Sequence, residues 1–309
     1  MSTLIGDVRN ALREAVKKDP AEAILFSGGL DTSILAALDP RIKAISVSLE
    51  DFGEDLIFAR KTAEHLGLER HHSTVTVAEA IQAVPAVIRI LKSFDPAIPN
   101  DLVVYAGFKK AKEMGFSSIM TGDASDELFG GYSYMRAMPD LNGYIRRISR
   151  AMSFSSNDIG GHFGIRVVQP FCRKEIVSLA LGIPQELKIN READEPVGKW
   201  ILRKAFEDLL PPDVIWQDKR PLECGSGMEE LRAIISRKVT DGEFSKRPEH
   251  MEFYNKEHFY YYSVFKEGGQ AVPALGKGEK ACRGCGAGIR PGSFHCKTCG
   301  YVPQEGIIV

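Results

Sequence analysis

Through the first half of the chain, short apolar runs rich in β-branched residues alternate with stretches in which apolar positions recur every three or four residues. The runs are AILF at 23–26, IKAISVSL at 42–49, HSTVTV at 72–77 and SSIM at 117–120, each with the length and composition of a strand. Between them, Leu56, Ala59, Ala63 and Leu66 fall on one face of a helix from Asp55 to Leu66, and a similar stripe runs from Asp101 to Met114. This alternation predicts an α/β fold, a doubly wound parallel sheet with helices packed on both faces. Ligands on such sheets gather at the carboxyl ends of the strands. From about Asn142 the pattern becomes helical, with helices predicted near 142–152, 173–182, 196–210, 228–240 and 252–266. GGQAVPALGKGEK at 268–280 has no apolar period and reads as a linker. The expected organisation is a main domain over 1–267, the linker over 268–280 and a small terminal unit over 281–309.

Composition narrows the class without changing this picture. Of the 309 residues, 44% are hydrophobic and 26% charged, which excludes a disordered or fibrous design. No run reaches the 18 apolar residues of a spanning helix, and the N-terminus has no signal-peptide core, so the expectation is a cytoplasmic protein with no membrane partner. A formal net charge of -1 argues against attachment to nucleic acid through bulk electrostatics; any RNA contact must be local.

Three motifs carry chemistry. SGGLDTS, Ser27 to Ser33, follows a predicted strand and opens a predicted helix. Gly28 and Gly29 permit a tight turn, and the hydroxyls of Ser27, Thr32 and Ser33 with the free helix amides form an anion cradle. It lacks the GxxxxGK[ST] pattern, and Asp31 suits Mg²⁺ held against a phosphate chain. The plainer alternative is a glycine-rich turn with Asp31 as a helix cap. TGDASDELFGGY, Thr121 to Tyr132, places Asp123, Asp126 and Glu127 so close that a shared cation would relieve their repulsion; the alternative is a solvated acidic loop. CRGCG at 282–286 and CKTCG at 296–300 are two CxxC knuckles. Cys282, Cys285, Cys296 and Cys299 can place four thiolates on one ion, the pattern of a zinc ribbon, although iron or an iron–sulfur cluster suits the same ligands.

SGGLDTS resembles the pyrophosphate loop of the PP-loop ATP pyrophosphatases, and TGDASDELFGGY is similar to the SGxGxDELFGGY signature of their asparagine-synthetase branch. SVSLED at 46–51, FARKTAEHLGLERHH at 58–72, WQDKRPLECGSG at 216–227 and NKEHFYYYSVFKE at 255–267 extend the resemblance across most of the chain. It implies an adenine nucleotide α-hydrolase-like fold in which Asp31 and Asp126 ligate Mg²⁺. Gly122 and Asp123 would lie against the nucleotide, backbone atoms near Val47 and Leu49 would hold adenine, and Lys219 would neutralise the leaving pyrophosphate. His71 and His72 match the family as a structural pair.

Two departures stand out. The family's glutaminase domain uses a cysteine at position 2 where this chain has Ser2, so the expected nitrogen source is free ammonia, a separate glutaminase subunit or another nucleophile. The family segment G-x-E-x-R-x-P-F, whose glutamate acts as general base, corresponds to GIRVVQPF at 164–171. Arg166 takes the glutamate position, Val168 the arginine position, and Arg173 that of a following aspartate. A cation cannot accept the proton, so Arg166 and Arg173 are read as binders of an anionic substrate.

The resemblance therefore implies a ligase using ATP, Mg²⁺ and Zn²⁺ that adenylates a small-molecule acid for attack by a nitrogen donor. The alternative is a tRNA-modifying enzyme that adenylates a base oxygen. In it the ribbon grips RNA through Lys277, Lys280, Arg283, Arg290 and Lys297, and Cys224 can carry sulfur. A third reading is an ATP sensor that uses the ribbon to hold a partner protein. A homo-oligomer is left open.

Overall fold

Five parallel strands form the sheet of the computed structural model, which describes residues 1–50, 52–53, 55–192, 195–293 and 295–302. Their order is β3 (Arg70–Val75), β2 (Lys43–Leu49), β1 (Ala23–Leu25), β4 (Ser118–Met120) and β5 (Arg166–Val168). Ile24 lies in register with Ala44 on one side and Met120 on the other, and Met120 with Val168. Successive strand residues point to opposite faces. Ile24, Ala44, Met120 and Val168 join one core cluster, while Ala23, Ile45 and Ile119 join another. Burial on both faces explains why β1, β2 and β4 read as continuous apolar runs rather than alternating ones.

One face is covered by α1 (Ser2–Lys18), α2 (Leu30–Leu38), α3 (Asp55–Leu66) and the later helix Trp200–Phe206. The other is covered by α4 (Val77–Leu91), α5 (Ile98–Glu113), a short α8 (Ser155–Phe163) and the closing aromatic helix Lys256–Glu267. Between α5 and α8 lie α6 (Ser125–Phe129) and α7 (Leu141–Ile148). The chain order β1, β2, β3, β4 reverses direction across the sheet between β1 and β4, and at such a switch point the strand ends open into a crevice.

Several sequence expectations shift. The run at 72–77 starts two residues earlier, at Arg70. Its last two residues leave the sheet because the Thr76 hydroxyl accepts from the Glu79 amide while the Glu79 carboxylate accepts from the Thr76 amide, a capping box that starts α4. The helix expected over 196–210 is confined to Trp200–Phe206, since Glu195–Gly198 pairs with Ile189–Glu192 as a hairpin. The sequence expectations contain no equivalent of α1, α4, α8 or β5.

At the C-terminus, Lys280–Ala281 pairs antiparallel with Gly288–Ile289, one strand on either side of the first cysteine knuckle. Phe294 and residues 303–309 of the expected 281–309 unit lie outside the described residues. Among the described residues, no helix is long and apolar enough to cross a membrane.

Candidate active site

A cleft of about 620 Å³ opens where β1 and β4 end. The loop after β1 supplies Ser27, Gly29, Asp31 and Thr32 to its wall, and the loop after β4 supplies Gly122, Asp123, Asp126 and Glu127. Gly28 has φ +74°, and a Cβ there would lie 2.3 Å from the Ala59 nitrogen of α3, so only glycine fits this turn. The Ser27 hydroxyl accepts from the Gly29 amide at 3.2 Å and lies 3.3 Å from the Thr32 hydroxyl. The two acidic motifs meet here: a Cβ on Gly122 would touch the Cβ of Asp31 at 3.1 Å.

Lys199 links them. Its side chain is only 4% exposed, with Nζ 2.6 Å from Asp31 Oδ2 and 2.7 Å from Asp126 Oδ1. The second is a charge contact, because no well-directed hydrogen bond reaches Asp126 Oδ1. Ser125 Oγ donates to Asp31 Oδ1 at 2.6 Å, and Lys219 Nζ stands 3.4 Å from Asp126 Oδ2. Burial alone would raise the Asp126 pKa, but the charges of Lys199 and Lys219 overcome it and hold the carboxyl below its ordinary range. Burial likewise opposes the charge on Lys199, and Asp126 with Asp31 reverses that and raises its pKa. Convergent carboxylate oxygens, one of them lacking a directed donor, are a donor set that fits a hard cation such as Mg²⁺. The sequence reading missed Lys199; its signal was a lysine opening the apolar run KWILRKAF at 199–206.

The rest of the acidic loop is built in. Asp123 Oδ2 accepts from Thr121 Oγ1 and Ser156 Oγ, both at 2.6 Å, and from Gln169 Nε2 at 2.7 Å. These bonds tie the loop to β5 and α8, and Gln169 is the residue just beyond β5 that serves the site. Glu127, its pKa raised by burial, accepts from the Tyr132 hydroxyl at 2.7 Å. The Tyr132 ring lies 5.6 Å from Lys219 Nζ. Ala124 holds φ +74° where the similar signature has its second glycine, a strained conformation of the kind that clusters at functional sites.

Other expected residues fall elsewhere. Ser33 is fully buried with its hydroxyl unpartnered; two positions after Asp31 on α2, it faces away from the cleft. The Leu49 amide donates to the Ser226 carbonyl at 2.9 Å, and its carbonyl accepts from the Phe52 amide at 2.8 Å. Val47 lines a cavity of only about 10 Å³, closed by Leu25 and Leu222. Gly28 anchors the loop through its carbonyl, which accepts from Gln217 Nε2 at 3.1 Å. His71 contacts Glu69 and His72 contacts Ser48, both on the sheet.

Arg166 is the main correction. It opens β5, opposite Ser118 at the amino end of β4, whereas the cleft lies at the carboxyl ends. It pairs with Asp19 and donates to the Pro20 carbonyl at 2.9 Å, so it binds no substrate in the cleft. Arg173 stands at the start of the next helix, 3.9 Å from Glu175. An exposed pair contributes about 0–1 kcal/mol. Arg166→Ala is therefore expected to leave ATP turnover and acceptor KM unchanged and to move the urea midpoint only slightly; a several-fold rise in KM would restore the substrate-binding role.

Behind the cleft, Asp101 of α5 is buried beside Ser155, and its pKa is pushed up to about 7, first by burial. The folded state thus holds a proton that the unfolded chain releases near pH 4, so stability falls as pH rises from about 4 to about 7, and the cost persists above that. Each tenfold change in proton affinity corresponds to about 1.4 kcal/mol, so Asp101→Asn is expected to stabilise the protein by about 2–4 kcal/mol at pH 8 and by little at pH 4. Urea unfolding at the two pH values checks this; an equal effect at both would refute it.

The four cysteine sulfurs of the ribbon all lie within 4.8 Å of one another, with Cys282 to Cys299 at 3.6 Å and Cys285 to Cys296 at 3.8 Å. A tetrahedral ion about 2.3 Å from each sulfur sets them about 3.8 Å apart, so the buried cluster fits a thiolate-bound metal.

The chain matches the family described as asparagine synthase over residues 7–160 and 144–262. It is 30% identical over 303 residues to a probable glutamine-hydrolysing asparagine synthetase of Dictyostelium discoideum, covering 84% of this chain and 54% of that protein. The corresponding enzyme of Brassica oleracea is 28% identical over 295 residues, covering 84% of this chain and 50% of its own. The chain thus spans about half the length of these curated relatives. Among solved structures, the U34-tRNA thiolase NcsA of Methanococcus maripaludis is similar with a TM-score of 0.33 and 14% identity, covering 100% of this chain and 91% of that one.

Proposed function

Because the chain belongs to the asparagine synthase family, we propose that it is a ligase that cleaves ATP between the α- and β-phosphates, adenylating a substrate carboxylate for attack by ammonia or another nitrogen nucleophile. The observation that carries this reading is the cluster Asp31–Lys199–Asp126–Lys219 at the mouth of a phosphate cradle that lacks a Walker lysine. In it, the loop from Ser27 to Thr32 binds the β- and γ-phosphates through amides and hydroxyls. Lys219, on the cleft wall, neutralises charge on the departing pyrophosphate, and Lys199 keeps the two carboxylates convergent. Asp31 and Asp126 would hold a magnesium ion, which would add to the neutralisation of the phosphate chain, and zinc is the ion proposed for the four cysteines.

In the chemical step, a carboxylate oxygen of the acceptor attacks the α-phosphorus and the bond to the bridging oxygen breaks, releasing pyrophosphate. The nitrogen nucleophile then displaces AMP from the acyl carbon. Sulfur transfer from Cys224 is disfavoured, since burial first, then a bond to Glu229, pushes its thiol up to about 12 and leaves little thiolate at neutral pH.

Nucleotide analysis with candidate acids, ammonia and tRNA offered separately tests the reading. The expected result is AMP and pyrophosphate with an acid as stimulant. Release of ADP and phosphate would sink it, and stimulation by tRNA alone would replace the acid with a nucleic-acid acceptor.

A further inference from the structure

The cysteine ribbon does not hang from the body of the protein; it is seated on the turn between α4 and α5. The Thr298 carbonyl, inside the second knuckle, accepts from the Phe94 amide at 2.8 Å and lies 3.4 Å from the Ser93 hydroxyl. His295 Nε2 stands 3.4 Å from Asp95 Oδ2, while Asp95 Oδ1 accepts from the Ala97 amide at 2.8 Å. A Cβ on Gly300 would come within 2.7 Å of Asp95 and 2.8 Å of Pro96. Phe94 itself is buried against Tyr262 and Phe265 of the closing helix, and the four cysteines belong to the same apolar cluster.

This turn leads straight into the cleft. Pro96, Ala97, Asn100 and Val104, the start of α5, line one wall of it. The neighbouring Val103 with Leu25 and Leu222 surrounds Val47, near which the ATP reading above puts the base. A segment with two strands of two residues cannot bury enough surface to keep its own shape, so the knuckle geometry depends on the four sulfurs sharing an ion.

We propose that the metal-loaded ribbon positions the α4–α5 turn, and through it the wall of the cleft that meets the nucleoside half of ATP. Thr298, His295 and Asp95 are positioning residues in this scheme, and none touches the nucleotide. The nucleoside half of the claim rests on the ATP reading above; the seating of the turn does not. The α4–α5 turn and the first turn of α5 lose their outer anchor when the knuckle opens, while the loop from Ser27 to Thr32, held by β1 and α2, keeps its anchors.

The test compares full-length protein as purified, the same protein stripped by a zinc chelator, and Asp95→Ala, which retains all four cysteines. Amide exchange by mass spectrometry reads the wall, metal analysis reads the ribbon, and calorimetric titration uses MgATP and magnesium pyrophosphate as separate probes. Metal removal is expected to speed exchange across 93–100 while leaving 27–33 protected. It should weaken MgATP about tenfold, equivalent to about 1.4 kcal/mol, with magnesium pyrophosphate unchanged. Asp95→Ala should keep its metal yet show the same split. Exchange confined to 280–302 on stripping would overturn the proposal, as would equal weakening of both probes. If loaded protein binds neither probe, the ATP reading fails, and the exchange comparison alone decides whether the ribbon holds the wall.

Discussion

Replacing Lys199 by methionine is expected to cut ATP-dependent pyrophosphate release by at least about 10²–10³-fold, and to destabilise the protein by about 3–5 kcal/mol in the absence of divalent cations. Lys199 is nearly excluded from solvent and its ammonium sits between Asp31 and Asp126. Methionine fills much of the same volume without the charge. Two carboxylates then face each other in a buried site, with Lys219 still 3.4 Å from Asp126. Such uncompensated burial is what makes breaking an internal ion pair costly. If the two acids form the Mg²⁺ site, millimolar Mg²⁺ should return part of the lost stability to the variant and add less to the unmodified protein. Unfolding in urea with and without Mg²⁺ separates the two contributions. Turnover within a few-fold of the unmodified protein would remove Lys199 from the site.

Aspartate with ATP and ammonia should give asparagine only slowly, about 10²–10⁴-fold below the rate with the true acceptor and nucleophile. Ammonium must lose a proton before or during attack, and the similar enzymes place a glutamate for this on the strand that here is β5. That position is Arg166, a cation tied to Asp19 at the far end of the sheet. Gln169, which follows β5 and reaches the site, donates an amide N–H to Asp123 and cannot take a proton at neutral pH. No base therefore comes from this strand. Coupled assay of asparagine formation against a panel of acids checks the claim; rapid conversion of aspartate by the unmodified chain would defeat it.

Some of this was legible from the chain alone. The phosphate cradle and the acidic loop are contiguous strings whose glycines, hydroxyls and carboxylates act within a turn or two of backbone. The four cysteines announce their ion by spacing. β1, β2 and β4 were visible because strands buried on both faces are unbroken apolar runs. In contrast, β5 is as short as β1 and β4 but begins with an exposed arginine, which breaks the apolar run. The amphipathic α1 and α4 carry clear stripes, Val8, Leu12 and Val16 in one and Ala80, Val84 and Val87 in the other, which are legible in the sequence.

By itself, then, the sequence determined the α/β class, the strand-to-helix phosphate loop, the acid cluster and the thiolate site, because each rests on local backbone geometry and on chemistry between near neighbours. The tertiary structure decided which distant groups meet. Lys199 reaches Asp31 across 168 positions only because the Ile189–Gly198 hairpin returns the chain to the end of β1. Arg166 leaves the cleft because its strand runs parallel to β4 and begins at the amino end of the sheet, opposite the cleft. The ribbon meets the cleft through Phe94 and Asp95, a contact made by packing and by two hydrogen bonds that no spacing along the chain encodes. Parallel order, strand direction and docking bring together residues far apart in the chain, and a one-dimensional pattern carries no distance between them.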